Sequence, residues 1–486
     1  MSLIFFILQY FFWKKSSITL HFFVLLHTLK KLPMNFSFIL IVIVFILGYC
    51  LIALEHPLKI NKSASALLLG VLLWTLLVIF GENAILPELF TKYNADGHFL
   101  EYITKNELIH HLGEISEILF FLLGAVTIVE LIDTYGGFKL ITDKIQTTSK
   151  VKFMWILSIL AFFMSAVLDN MTTTIVMVTL LRKLVAEKED RWLFASIIVI
   201  AANAGGAWSP IGDVTTIMLW VGGQVSAGNI ILKTFMSSLI SLIVPLIILT
   251  FTTKGHFSRP SGTIMIQVEE LTMPRRVSFL ILILGIGLLL SVPVFKTLTH
   301  LPPYIGMLGA LGILWVITEL LNTKYVQEDD DETEHFRVST IIRKIDMPSI
   351  LFFLGILLAV AALQVCGHLT LLSQSLDNIN LADNSKYFLI SGIIGVLSSI
   401  VDNVPLVAGV MGMYNFEMNH YFWEFLAYCA GAGGSLLIIG SAAGVAAMGL
   451  EKIDFIWYLK KISWLVLIGY LAGAVTFIAQ YMVFHF

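Results

Sequence analysis

Charge is scarce in this chain. Of 486 residues, 13% are Asp, Glu, Lys or Arg, while 58% are Ala, Val, Ile, Leu, Met, Phe, Trp, Tyr or Cys. Soluble domains average about a quarter charged residues, so an ordinary soluble protein is excluded. Cysteine is nearly absent. Cys50, Cys366 and Cys429 lie scattered within or beside apolar runs, and neither a disulfide framework nor a Cys/His metal set can be built from them. There is no Walker-type phosphate loop and no dinucleotide fingerprint, and the paired glycines lack the strand context such motifs need. ATP use and covalent catalysis are therefore not expected. The chain reads as no enzyme, with no cofactor and no nucleic-acid partner, and its energy has to come from ion gradients.

Apolar sequence is plentiful instead. Runs long enough to span a bilayer recur, for example at 36–54, 64–80 and 464–483. The net charge of −3 matters less than where the charges sit. The expected spans are 36–54, 64–80, 115–134, a hairpin at 153–185, a broken span at 192–221, then 230–252, 278–295 and 303–321. They continue with 348–365, a hairpin at 387–413, a broken span at 423–449, and 463–483. Residues 1–33 are apolar and aromatic, interrupted by Lys14-Lys15 and Lys30-Lys31, with no small-residue cleavage site. We expect Met34 to be the true start and 1–33 an upstream extension.

One short acidic phrase occurs twice at membrane depth. The first copy runs from Ser165 through Asp169-Asn170 to Thr172-Thr173, and the second from Ser398 through Asp402-Asn403 to Pro405. Each precedes a glycine-rich break: Asn203 to Asp213, with Gly205-Gly206 and Pro210, then Gly431 to Ser441, with Gly433-Gly434. Asp169 pairs with Asp402 at an offset of 233, and Gly205 with Gly433 at 228. Near-constant offsets argue for internal duplication. Asp and Asn favour turns and caps over helix interiors, and Pro405 suits a first helical turn, so each hairpin is expected to re-enter and turn near mid-depth.

Counting crossings between the copies gives an odd number, so the halves are inverted, a recurring design of secondary transporters. The expected fold is an all-α polytopic membrane protein of two inverted repeats, each with a re-entrant helical hairpin and a discontinuous helix. Its parts are the extension 1–33, N-terminal spans and external loop 34–114, transport repeat 1 at 115–252, a linker with two spans and an acidic cytoplasmic loop at 253–347, and transport repeat 2 at 348–486. The same count puts four basic loops on one face. They carry Lys139, Lys144, Lys150 and Lys152; Arg182, Lys183, Lys188 and Arg191; Lys254, Arg259, Arg275 and Arg276; and Lys452, Lys460 and Lys461. The positive-inside rule makes that face cytoplasmic. The run Glu328 to Glu334 falls there too and reads as a solvated linker.

An ionisable residue at membrane depth is costly, so it marks a functional site by default. Asp169 and Asp402 lead. Desolvation disfavours a charged carboxylate, which lets it exchange a proton for a cation; the plainer reading is that each merely caps the returning helix. Asn170, Asn403, Thr172 and Thr173 add neutral oxygens, although such threonines often bond back to their own helix. Gly205, Gly206, Gly433 and Gly434 permit unwound backbone whose carbonyls line a cavity, or else serve close helix packing. Asp213, just past the first break beside Thr215 and Thr216, joins the candidates, with Ser435 as a weaker one. Glu130 and Asp133, one turn apart on a helix face, are candidates for a proton path. His110-His111 is expected in a solvated loop.

At these motifs the sequence resembles the NhaD-type Na+/H+ antiporters of the ion-transporter superfamily, from about Phe36 to the C-terminus. Dicarboxylate carriers of that superfamily have Ser-Asn-Thr signatures at both hairpin tips. Here the tips read Asp-Asn-Met-Thr and Asp-Asn-Val-Pro, and acidic tips attract cations. The resemblance implies a multi-pass antiporter of a bacterial inner membrane, expelling Na+ against H+ by alternating access, with Li+ as a second cation to test. Na+ and H+ are its implied substrates, the bilayer its surroundings, and a homodimer an assembly to test. An arsenite or organic-anion carrier is the nearest alternative. A proton-conducting subunit of a larger complex is the alternative of another class.

Overall fold

The computed structural model describes residues 35–53, 55–142, 147–259, 273–325, 336–379, 381 and 383–484. The expected extension 1–33, Met34, Lys144 and the acidic run Glu328 to Glu334 lie outside the described residues. Apart from one isolated bridge between Ser149 and His256, all regular structure among the described residues is helical.

The first half contains α1 (Phe36–Ala53), α2 (Lys62–Phe80), α3 (Leu108–Thr134), the hairpin α4 (Lys150–Leu168) and α5 (Asn170–Leu184), the interrupted pair α6 (Lys188–Gly206) and α7 (Val214–Val221), and α8 (Ala227–Thr252). Two long helices follow, α9 (Arg275–Thr299) and α10 (Pro303–Tyr325). The second half contains α11 (Met347–Cys366), the short α12 (His368–Asp377), the hairpin α13 (Asp383–Leu397) and α14 (Asn403–Met413), the interrupted pair α15 (Tyr421–Gly433) and α16 (Ala442–Glu451), and α17 (Ser463–Phe484). Among the described residues, 8 helices are long and apolar enough to cross a membrane. One of the 8 is α4, an arm of the first hairpin, and an Asp-Asn or a glycine-rich stretch divides each hairpin and each interrupted pair.

Small residues let the backbones meet, as expected where lipid gives helices no hydrophobic reason to associate. A side chain at Gly355 of α11 would fall on the backbone of Ala66 and Leu67 in α2. Trp74 donates to the Leu358 carbonyl at 2.9 Å, and the Ser63 hydroxyl to that of Pro348 at 2.6 Å. Those bonds lock α2 to α11. The hairpins pack in matching ways. Gly205 abuts the Phe162 carbonyl and Gly433 the Gly395 carbonyl. The Ser165 hydroxyl donates to Ala202 O at 2.6 Å, and the Ser398 hydroxyl to Ala430 O at 2.8 Å.

Contacts between loops gather the basic segments on one face. Lys150 pairs with Asp190 at 2.6 Å, Ser258 donates to Glu187 at 2.7 Å, and Arg182 and Arg191 both clasp Glu451, at 2.8 and 2.9 Å. One expectation is corrected. His110-His111 lies in α3, which begins seven residues earlier than the expected span. His111 is buried between Glu114 at 3.2 Å and Glu107 at 3.9 Å. The polar residues that suggested a loop are the end of a helix that outruns its apolar segment.

Candidate functional site

Each hairpin turns on its aspartate. α4 brings apolar chain to Leu168, and Asp169 has φ 91 and ψ 160, a region close to reserved for glycine. Its own side chain holds it there. One carboxylate oxygen accepts the Thr172 N–H at 2.7 Å and the other the Thr172 hydroxyl at 2.8 Å. Asp169 thereby caps α5. In the second hairpin Pro405 stands at the position of Thr172 and supplies neither N–H nor hydroxyl. Asp402, at φ −48, accepts the Val404 N–H at 3.3 Å, and its other oxygen faces the Lys62 ammonium at 3.7 Å.

A third carboxylate lies between them. Asp213 caps α7 after the first break, in a reciprocal box with Thr216. One oxygen accepts the Thr215 N–H at 2.9 Å and the Thr215 hydroxyl at 3.1 Å. The amide of Asn170 donates to the other at 2.9 Å, and that of Asn403 reaches both, at 3.2 and 3.3 Å. The two tips thus meet at one buried acid, 1% exposed. Asn170 also donates to Asn203 at 3.0 Å, whose amide donates to Ser435 and Ser441, each at 2.8 Å. One chain of hydrogen bonds therefore runs from the first hairpin to the second break. Such buried polar groups are tolerated because each finds a partner.

These residues open onto a cavity of about 410 Å³. Asp169, Asn170, Thr172, Asp213, Asp402 and Asn403 line it, and Glu130 and Asp133 line it from α3. The NH2 groups of both asparagines are committed to Asp213. Carboxylate, amide and hydroxyl oxygens are the donors a hard cation prefers.

Of the two readings of the glycines, the geometry favours close packing. Gly205 and Gly206 end α6 in helical geometry, Gly433 ends α15, and Gly434 follows in αR geometry; none lines the cavity. A glycine pair followed by a break reads alike in sequence whether it unwinds or packs, and here it packs. Thr173 is buried away from the cavity, and Ser435 touches the network through Asn203. Sequence reasoning passed over Asn203 as a hub and Lys62 altogether. A buried Asn in the last turns before a break was the available signal for the first. A lysine opening an apolar helix is too ordinary to signal the second.

Comparison with known proteins gives the family. A family profile described as Citrate transporter matches residues 25–431. Sodium/proton antiporter 2 of Arabidopsis thaliana is 42% identical, over 90% of this chain and 98% of its own length. Sodium/proton antiporter 1 of the same plant is also 42% identical, over 90% of this chain and 71% of its own. The Na(+)/H(+) antiporter NhaD of Vibrio cholerae is 31% identical, over 89% of this chain and 90% of its own. The chain belongs to the NhaD-type antiporter family of the ion-transporter superfamily.

Proposed function

We propose that the protein is a secondary transporter, not an enzyme, that exchanges Na+ for H+ through one site formed where the two hairpin tips meet Asp213. The carrying observation is the convergence of Asn170 and Asn403 on the Asp213 carboxylate, with Asp169 and Asp402 on the same cavity wall. Na+ is held among these carboxylate and amide oxygens, and protons displace it by neutralising the acids. Competition of two cations for one set of oxygens gives exchange without both being bound at once. Glu130 and Asp133 form the proton's way in from the cavity mouth. The two halves are read as inverted repeats, and alternating access exposes the site to each face in turn.

The family profile's description raises the anion-carrier reading, and charge argues against it. Among the described residues lining the cavity there are seven carboxylates (Glu55, Glu130, Asp133, Asp169, Asp213, Asp346 and Asp402) against the two ammonium groups of Lys62 and Lys344. Such a wall repels citrate and attracts cations. Because Lys62 and Lys344 line it, and basic residues favour the cytoplasmic side, we read the cavity as open to the inside. The proposed location is a bacterial inner membrane.

The test is Na+-induced dequenching of a pH-sensitive dye in everted vesicles, with Li+ as a second cation. Asp169→Asn and Asp402→Asn are each expected to abolish the signal with protein levels unchanged. Retained exchange in either would remove that residue from the site. No sodium response in the parent protein would overturn the reading.

A further inference from the structure

Lys62 opens α2, just after Asn61, whose side chain caps the helix by accepting the Ser63 N–H at 2.8 Å. The interlocked glycines and bonds between α2 and α11 fix its backbone. Its ammonium sits 3.7 Å from Asp402 and 4.6 Å above the centroid of Phe352, in the cavity. An aromatic face and a carboxylate both favour a cation there. The other charged groups on that wall are Glu55, Glu130, Asp133, Asp169, Asp213, Asp346 and Lys344. Asp169 and Asp213 are each already bonded by donors from their own helices, at 2.7 to 3.1 Å. Asp402 has one longer bond to its own helix and a tethered cation in place of the rest.

We infer that Lys62 is a built-in competitor for Asp402: its ammonium holds the carboxylate when no Na+ is bound and must yield when Na+ arrives. This rests on the sodium/proton reading above. Two cations a few ångströms apart repel, so Lys62 weakens Na+ binding from the cytoplasmic side. The same competition hastens release and spares Asp402 an interval as an unpaired charge. Side-chain exposures of 26% for Lys62 and 20% for Asp402 let water take over whichever partner is displaced. Lys62 belongs to the locked α2/α11 pair and Asp402 to a hairpin tip whose arm α14 packs on α11, so the contact adds a charged tie from α2 to that tip.

The experiment is the Na+ dependence of exchange in everted vesicles, whose outer face is the cytoplasmic one, at alkaline pH where protons compete least. Lys62→Gln and Lys62→Met are compared with Lys62→Arg. A nearby opposite charge changes a carboxylate's proton affinity by about ten-fold or more; the same repulsion acts on Na+, and the partial exposure points to the lower end. The neutral variants are expected to lower KM for Na+ by about ten-fold, and Lys62→Arg to keep it near that of the parent. An unchanged or raised KM in the neutral variants would overturn the inference. So would loss of folded protein in both of them while Lys62→Arg is normal, since that assigns Lys62 to the fold. A parent protein without exchange would instead sink the reading it rests on.

Discussion

The two hairpins carry the same Asp-Asn pair and hold their aspartates differently. At the first tip Thr172 gives Asp169 an N–H and a hydroxyl, and the carboxylate is occupied by its own helix at 2.7 and 2.8 Å. At the second tip Pro405 gives neither, and the Asp402 carboxylate is turned outward to Lys62 at 3.7 Å. The same acid stands at both tips, and the residue at the third helical position, Thr172 or Pro405, decides what holds it. On the proposed function, the first is a fixed wall of the site and the second is the oxygen pair that a mobile cation can take. The breaks differ in the same sense, since Asp213 caps α7 while Ser441 caps α16. The negative charge of the network is thereby concentrated at one break.

The largest effect that comparison predicts is at the breaks. Asp213→Asn leaves the caps to α7 nearly intact in shape but removes the charge that both hairpin amides address, and exchange should fall to background. Ser441→Ala removes only a neutral cap and one bond to Asn203. It should keep measurable exchange, with a stability loss of about 1 kcal/mol. Dye dequenching and thermal unfolding in detergent, run on both, check the contrast. Equal loss of exchange would make the two breaks equivalent and refute the asymmetry.

Next in size are the packing glycines, where the halves are expected to agree. Gly205→Ala and Gly433→Ala each push a methyl group onto a backbone carbonyl, of Phe162 and Gly395. Overpacking of this kind costs about 1–3 kcal/mol, and a carbonyl in a neighbouring helix has little freedom to yield. Both should lower the melting temperature. Gly309→Ala, in α10 with nothing within 4 Å, should be neutral or stabilising by about 0.5–1 kcal/mol. Melting curves of the three in one detergent decide it.

Much of this was legible in the sequence because the bilayer makes polar residues conspicuous. Asp169-Asn170 and Asp402-Asn403 stand out in apolar runs, and the chain turns at both. The interrupted spans are legible for the same reason. The α3 boundary was not, because a helix continuing past the bilayer loses its apolar signature while keeping its hydrogen bonds. The convergence of both asparagines on Asp213 was not legible either. It joins residues 43 and 190 positions apart, and such contacts are set by how the hairpins pack. Lys62 was invisible because its partner lies in the other half of the chain.

The smallest predicted effect tests whether Pro405 is what frees Asp402. Pro405→Thr restores the donors that Thr172 gives the first tip, and should draw the Asp402 carboxylate back onto α14. If so, Lys62 loses its partner, and Lys62→Gln should then change the Na+ KM less than about two-fold in that background, against about ten-fold alone. The cycle isolates one pairwise coupling, so it is insensitive to a general loss of activity in the Pro405→Thr parent. An undiminished Lys62→Gln effect would mean that Lys62 acts on the site as a whole, through the field it shares with Lys344, and the two tips would differ in shape alone.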